Sequence, residues 1–327
     1  MTFYTRRLGA GAFGSVYKTQ YNGKWAAVKK MAKHLITEKH IEREWRICQD
    51  VNHNNVVKIL GRPWPAESMW HIPLELINGE TLEVAVFHRR KSNIQLSITN
   101  KATIVTGMCE GLHYLHKKSI VHQDLKPDNI MVEYSTLRAV IIDLGLAKFY
   151  QGGYTSATDM GNEAYSAPEI FHGEPRDMRS DVWAMGKIIA EVLLDCRLPT
   201  RELSSAIIQE HLYEHPYCEP VANMVDGSRI QRAKMVDVIG AIRAAGQGFN
   251  KGSRGDAPLP LVRVNSNENV FPHFSTALGL DIPFPIPSTG TVEHSEVEAH
   301  GANGFTFTQA RMKDGKLQKL IRTTFNP

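Results

Sequence analysis

Between Asp124 and Asn129 the segment DLKPDN sets a carboxylate (Asp124), an ammonium (Lys126) and a carboxamide (Asn129) within six residues. A carboxylate can take a proton, an ammonium can offset migrating negative charge, and a carboxamide oxygen is a neutral hard ligand for a cation. In isolation the plainer reading is a Pro-containing turn with solvated charges. Other groups of the same kind recur along the chain. Asp143 closes the apolar run AVIID, where a lone carboxylate would point into a cleft. A magnesium ligand is its natural role, since Mg²⁺ prefers oxygen ligands and usually takes only one or two protein carboxylates. Lys29 follows the small apolar run AAV, and its ammonium would be costly to bury without a carboxylate nearby. Glu42 and Glu44 are the candidates. Finally, GAGAFGSV supplies Gly9, Gly11, Gly14 and Val16, a spacing that brings backbone N–H groups close to phosphate oxygens.

These groups need elements to hold them. TFYTRRL, SVYKTQY and KWAAVKKM read as strands, with Asn22-Gly23 as a tight hairpin turn. Residues 37–51 read as a helix with Thr37 as its N-cap. VVKILG and WHIPLELI read as two further short strands. The glycine-rich loop is therefore followed by strand, turn and strand. A dinucleotide crossover would need a helix directly after Gly14, so the pattern points to a β-hairpin lid over a nucleotide. Residues 98–115 place Ile98, Ala102, Val105, Cys109 and Leu112 on one helical face. NIMVEY and AVIIDLG are short apolar strands, and 180–195 is apolar almost all round, which predicts a central buried helix. Residues 219–245 hold two helix-like segments. From 246 to 327 Gly, Pro, Ser and Asn dominate, which predicts a largely disordered tail mostly without a core of its own, save a short helix around FTQARMKDGKLQKLIRTTF.

The 327 residues have ordinary globular composition, 42% hydrophobic and 22% charged. Net charge is 38 − 34 = +4, too mild to argue for nucleic acid or an anionic membrane. Cys48, Cys109, Cys196 and Cys218 form no CxxC pair, which favours free thiols in a reducing compartment over disulfides or zinc. No apolar run reaches the length of a membrane span, and the first residues lack an apolar signal core. A cytoplasmic protein is expected.

Gly9–Val16, AAVK ending at Lys29, HQDLKPDN at 122–129, DLG at 143–145 and APE at 167–169 together resemble the protein kinase family, in order and with family-like gaps, over roughly residues 4–245. The resemblance implies a two-lobed α+β fold, with a small antiparallel-sheet lobe (1–77) carrying one helix and a larger, mainly helical lobe (78–245). It implies ATP and Mg²⁺ as cofactors and a protein substrate. The Gly9–Gly14 loop would cover the phosphates, and Lys29 would contact them while paired with Glu44. Asp124 would accept the substrate hydroxyl proton beside Lys126, with Asn129 and Asp143 as metal ligands. Val16, Ala27 and Met131 would sandwich adenine, with Leu74 behind it and the backbone of Glu75 and Ile77 at its edge. Glu169 would pair with Arg229 or, in better alignment, Arg232, and Asp181 would hold the catalytic turn. Lys126 matches the Ser/Thr type of the family.

Four departures stand out. Gln123 replaces the usual Arg before the catalytic Asp, so activation should not depend on an Arg–phosphate clamp there, though Thr155, Ser156 and Thr158 remain candidate phosphorylation sites. Leu144 stands where the family has Phe, and can fill the same apolar slot. Asn162 replaces a Thr whose hydroxyl bonds the catalytic Asp. The segment 195–220 is short. The alternative to an active kinase is a pseudokinase, a nucleotide-binding scaffold on the same fold.

Overall fold

The computed structural model describes residues 6–11, 14–145, 147–149, 162–174, 176–251, 291–300, 304–313 and 316–325. Residues 12 and 13 of the glycine-rich loop, and Thr155, Ser156 and Thr158, lie outside them.

The first part of the chain folds as an antiparallel sheet of β1 (Arg6–Gly11), β2 (Gly14–Tyr21), β3 (Lys24–Ala32), β4 (Trp64–Ala66) and β5 (Met69–Glu75), in the order β1-β2-β3-β5-β4. Asn22 and Gly23 both take positive φ (48° and 76°), the turn that matches strand twist in a two-residue hairpin. Gly14 is forced by packing, because a Cβ there would sit 2.0 Å from the Lys30 carbonyl oxygen. Helix α1 (Glu38–Cys48) buries Ile41 against Met31 and Ile72 of the sheet. Thr37 occupies the N-cap position, but its hydroxyl bonds the His40 ring at 2.7 Å instead of a backbone N–H.

The strand expected over VVKILG is not a full strand. That segment makes isolated bridges, Val56 with Ile141 and Ile59 with Leu74. Its neighbour in β5 contains Pro73, which accepts from Leu60 N–H at 2.8 Å but has no N–H to return. β4, which sequence reading missed, pairs with β5 instead.

The larger part begins with β6 (Gly79–Thr81) and α2 (Leu82–Phe87). Helix α3 (Ile98–Lys117) and β7 (Ile120–Val121) precede β8 (Ile130–Glu133), β9 (Ala139–Ile141) and β10 (Lys148–Phe149). The small sheet runs β6-β8-β9, and β7 pairs with β10. Then follow α4 (Pro168–Phe171), α5 (Met178–Leu194), α6 (Ser205–His211), α7 (Cys218–Met224) and α8 (Met235–Lys251). The buried face of α3 is Ala102, Ile104, Val105, Met108, Cys109, Leu112 and Leu115, while Ile98, placed on that face from spacing, is 48% exposed at the first turn. Helix α5 is central as expected, with Val182 to Val192 buried, and starts in a capping box between Asp177 and Ser180.

The chain divides into two compact units, Met1–Val262 and Arg263–Pro327. In the second, β11 (Thr291–His300), β12 (Gly304–Lys313) and β13 (Lys316–Phe325) form an antiparallel sheet. The short helix expected around FTQARMKDGKLQKLIRTTF is thus replaced by two strands, whose pairing ends at Lys313–Lys316 across Asp314-Gly315, a hairpin-type pair in the sequence. Helix α8 likewise runs past residue 246, where the tail was expected to begin. Among the described residues no helix is long and apolar enough to cross a membrane.

Candidate active site

Strand β3 alternates its side chains across the sheet, so Lys29 faces inward between α1 and the end of the β9 segment. Its Nζ donates to Asp143 Oδ1 at 2.6 Å and lies 3.7 Å from Glu44 Oε1. Glu44 is therefore the partner, and Glu42 pairs with Arg62 at the surface instead. Burial works against the Lys29 charge, but the Glu44 and Asp143 carboxylates outweigh it and raise the pKa, so the ammonium is kept. Burial would also raise Asp143, yet Lys29 and the Gly145 N–H hold its carboxyl below the usual range. Glu44 goes the other way, raised by burial with Lys29 only partly offsetting it. Asp143 adopts φ of +60°, and its side chain is 38% exposed, open to an incoming ligand. Gly145 lies over the triad, and a Cβ there would come within 3.1 Å of Asp143 Oδ1. Leu144 is buried, filling the slot expected of it.

A buried carboxylate holds the start of the 122–129 turn. Asp181 of α5 accepts the His122 N–H at 2.7 Å and the Gln123 N–H at 2.9 Å. His116 Nε2 lies 3.1 Å from Asp181 Oδ2. Burial would raise Asp181, but these hydrogen bonds and the neighbouring imidazoles outweigh it and lower its pKa. Gln123 is buried with φ of +71°, a strained value for a non-glycine residue. Its carbonyl accepts from Arg176 Nη1 at 2.5 Å, a contact that a separation of 53 residues hid from sequence reading.

The turn then presents Asp124. Lys126 Nζ is 3.2 Å from Asp124 Oδ2, and Asn129 Nδ2 donates to Asp124 Oδ2 at 2.9 Å and to its carbonyl at 2.8 Å. The Asn162 backbone N–H donates to Asp124 Oδ1 at 3.1 Å, while the Asn162 side chain turns away to cap Ala164 N–H at 2.9 Å. The contact expected from a side chain is thus made by the main chain. The Ile142 N–H donates to the Asn129 carbonyl at 2.8 Å, which ties the Asp143 strand to the turn.

The apolar residues assemble next to these groups. Leu74 and Met131 pack on the cluster of Val57, Ile77 and Val140. Ala27 pairs with Leu74 across β3 and β5, and Val16 pairs with Lys29 across β2 and β3. Gly9, Gly11 and Gly14 lie on the β1–β2 hairpin, with Gly11 opposite Gly14. Glu75 ends β5, its N–H donating to the Lys58 carbonyl at 2.9 Å. Away from the cleft, Arg232 and Glu169 form a bidentate buried pair at 2.8 Å, which selects Arg232 over Arg229.

Residues 4–229 match the protein kinase domain family. Similar curated proteins include the inhibitor of nuclear factor kappa-B kinase subunit alpha of Xenopus tropicalis, 31% identical over 58% of this chain and 27% of that protein. The "Probable myosin light chain kinase" of Dictyostelium discoideum is 32% identical over 61% of this chain and 57% of its own length. A G-type lectin S-receptor-like serine/threonine-protein kinase of Arabidopsis thaliana is 32% identical over 58% of this chain and 24% of its length. The chain thus spans less than two thirds of each of these relatives. With the sheet-and-helix lobes, the Lys29–Glu44–Asp143 triad and the DLKPDN turn in place, the chain belongs to the protein kinase family and has its two-lobed fold.

Proposed function

We propose that this chain is an active serine/threonine protein kinase that uses ATP and Mg²⁺. The observation that carries the reading is the joint assembly of the Lys29–Glu44–Asp143 triad and the Asp124–Lys126–Asn129 turn. A scaffold without transfer would have no need of both.

The residues suit a magnesium site. Asp143 is ionised and open, and Asn129 spends its amide nitrogen on Asp124, leaving its oxygen uncommitted among the described residues. One carboxylate and one carboxamide oxygen form the sparse hard-oxygen set that Mg²⁺ accepts when phosphates complete it. When bound there, the ion would neutralise phosphate charge. Lys29 would hold the α- and β-phosphates under the Gly9–Gly14 hairpin. Val16, Ala27, Leu74 and Met131 would line the adenine slot, and the backbone of Glu75 and Ile77 would face its edge.

Asp124 orients the acceptor hydroxyl. The hydroxyl oxygen bonds to the γ-phosphorus, the bond from that phosphorus to the β–γ bridging oxygen breaks, and the proton passes to the Asp124 carboxylate. ADP and a phosphorylated side chain result. Lys126, beside Asp124, offsets charge on the transferring group. Its place two residues after Asp124 supports Ser/Thr over Tyr acceptors, as does the naming of the Arabidopsis relative.

The test is phosphate transfer from labelled ATP to generic protein substrates, wild type beside Asp124→Asn. The expected result is a loss of roughly 100-fold or more in the variant. Equal transfer by both proteins would remove Asp124 from its role. No transfer by either, with Mg²⁺-dependent ATP binding intact, would identify a pseudokinase.

A further inference from the structure

A buried ammonium outside the site just described donates to the turn that touches Asp124. Lys187, on α5, is 2% exposed, and its Nζ donates to the Ala164 carbonyl at 2.6 Å and to Thr200 Oγ1 at 2.6 Å. Glu191, one helical turn on, lies 3.7 Å from it. Thr200 Oγ1 donates to the same Ala164 carbonyl at 2.6 Å. The Tyr165 hydroxyl donates to Glu191 Oε2 at 2.8 Å, and the Leu198 N–H donates to Glu191 Oε1 at 3.0 Å. Arg197 closes the cluster: it bonds the Tyr165 hydroxyl, stacks 3.7 Å over the Phe87 ring and pairs with Glu83 of α2 at 2.5 Å.

A lysine in the interior of a buried helix is costly, and an apolar residue of the same length would fill the space without that cost. Burial pushes Lys187 down to about 8, with Glu191 opposing, so the charge persists at neutral pH. Lys187 and Thr200 converge on one backbone carbonyl, that of Ala164. From there a short relay leads to the cleft. Ala164 N–H donates to Asn162 Oδ1 at 2.9 Å, and Asn162 N–H donates to Asp124 Oδ1 at 3.1 Å. One end of the relay is the rigid central helix and the other is the Asp124 carboxylate.

We propose that Lys187 is a positioning residue for phosphoryl acceptance: by gripping the Ala164 carbonyl it fixes the Asn162–Tyr165 turn, and through Asn162 it sets the orientation of Asp124, without a part in nucleotide binding. The link to catalysis rests on the kinase reading above. The grip on the turn does not.

Two variants separate the hydrogen bond from simple charge compensation. Lys187→Met removes the donors but leaves Glu191 without its cation. The double variant Lys187→Met/Glu191→Gln removes both charges; its amide oxygen can still accept from the Leu198 N–H, while its amide nitrogen can donate to the Tyr165 hydroxyl. Both should lower kcat for peptide phosphorylation by about tenfold or more, the usual loss for a charge-assisted hydrogen bond. The KM for ATP should stay within about twofold. Amide exchange of residues 162–167, read by mass spectrometry, should accelerate in both while the rest of α5 keeps its protection. Return of the double variant to wild-type kcat would overturn the proposal, as would a matching rise in the KM for ATP, or unchanged exchange at 162–167. If the wild type transfers no phosphate to any acceptor but the variants still loosen 162–167, the kinase reading fails while the hold of Lys187 on the turn stands.

Discussion

Asn162 shows how a side-chain substitution can be absorbed by the main chain. In the family pattern a threonine hydroxyl at this place bonds the carboxylate that Asp124 matches. Instead the Asn162 N–H reaches Asp124 Oδ1, and the carboxamide caps the following turn. Because backbone N–H groups do not depend on side-chain identity, Asn162→Thr should keep kcat within about threefold of wild type, since Thr also accepts the cap bond. Steady-state kinetics on a peptide acceptor would check this, and a loss of about tenfold or more would return the role to the side chain. Gln123 follows similar logic. It is held through its own N–H and C=O by Asp181 and Arg176, so the turn keeps its shape without an arginine at 123.

At the scale of elements, α5 is the organiser. Its first turn supplies Asp181 to the 122–129 turn and Ser180, whose hydroxyl donates to Glu169 at 2.8 Å, while Lys187 donates to the Ala164 carbonyl of the 162–165 turn. Glu169 is also bidentate to Arg232, ahead of α8. Burial would raise the pKa of both Asp181 and Glu169, but His116 and the backbone N–H groups, and Arg232, respectively outweigh it and lower them. Carboxyls depressed in the folded state stabilise it fully above their unfolded pKa, about 4, and lose that contribution as pH falls through the lower folded value. Urea midpoints measured from pH 6 downward should therefore fall steeply below about pH 4 in the wild type. They should fall less steeply in Asp181→Asn, which starts from a lower midpoint. An identical acid limb in both proteins would refute the assignment. Breaking the Glu169–Arg232 pair from one side, as in Arg232→Met, should cost about 3–5 kcal/mol, because a buried carboxylate is left without its cation.

For the molecule as a whole, the kinase unit and the C-terminal sheet are separate compact units. The sheet β11-β12-β13 satisfies its central strand internally. Residues 1–262 expressed without 263–327 should still unfold in a cooperative thermal transition, because the buried core around α3 and α5 closes within that unit. Loss of that transition in a thermal scan would show that the unit does not close on its own core.

Local patterns were legible in the sequence. The Asn22-Gly23 hairpin, the DLKPDN turn, the apolar run ahead of Asp143 and the mostly apolar α5 are each set by residues a few positions apart, so composition and spacing revealed them. The 307–325 segment misled because its Lys, Gln, Ala, Met and Leu are good helix formers, and pairing with a neighbouring strand overrides that preference. Ile98 misled because spacing defines a face but not where the first turn leaves the core. The choice of Glu44 over Glu42 needed the resemblance to a family, and the contact itself exists only once α1 lies on β3. What only the tertiary structure decided are the long-range polar contacts: Arg176 on the Gln123 carbonyl, Asn162 N–H on Asp124 and Lys187 on the Ala164 carbonyl. Backbone groups carry no side-chain signature in a sequence, and a buried charge finds its partner by packing rather than by spacing. The sequence therefore determined which polar groups the chain brings to this cleft, and the fold decided which atoms hold them in place.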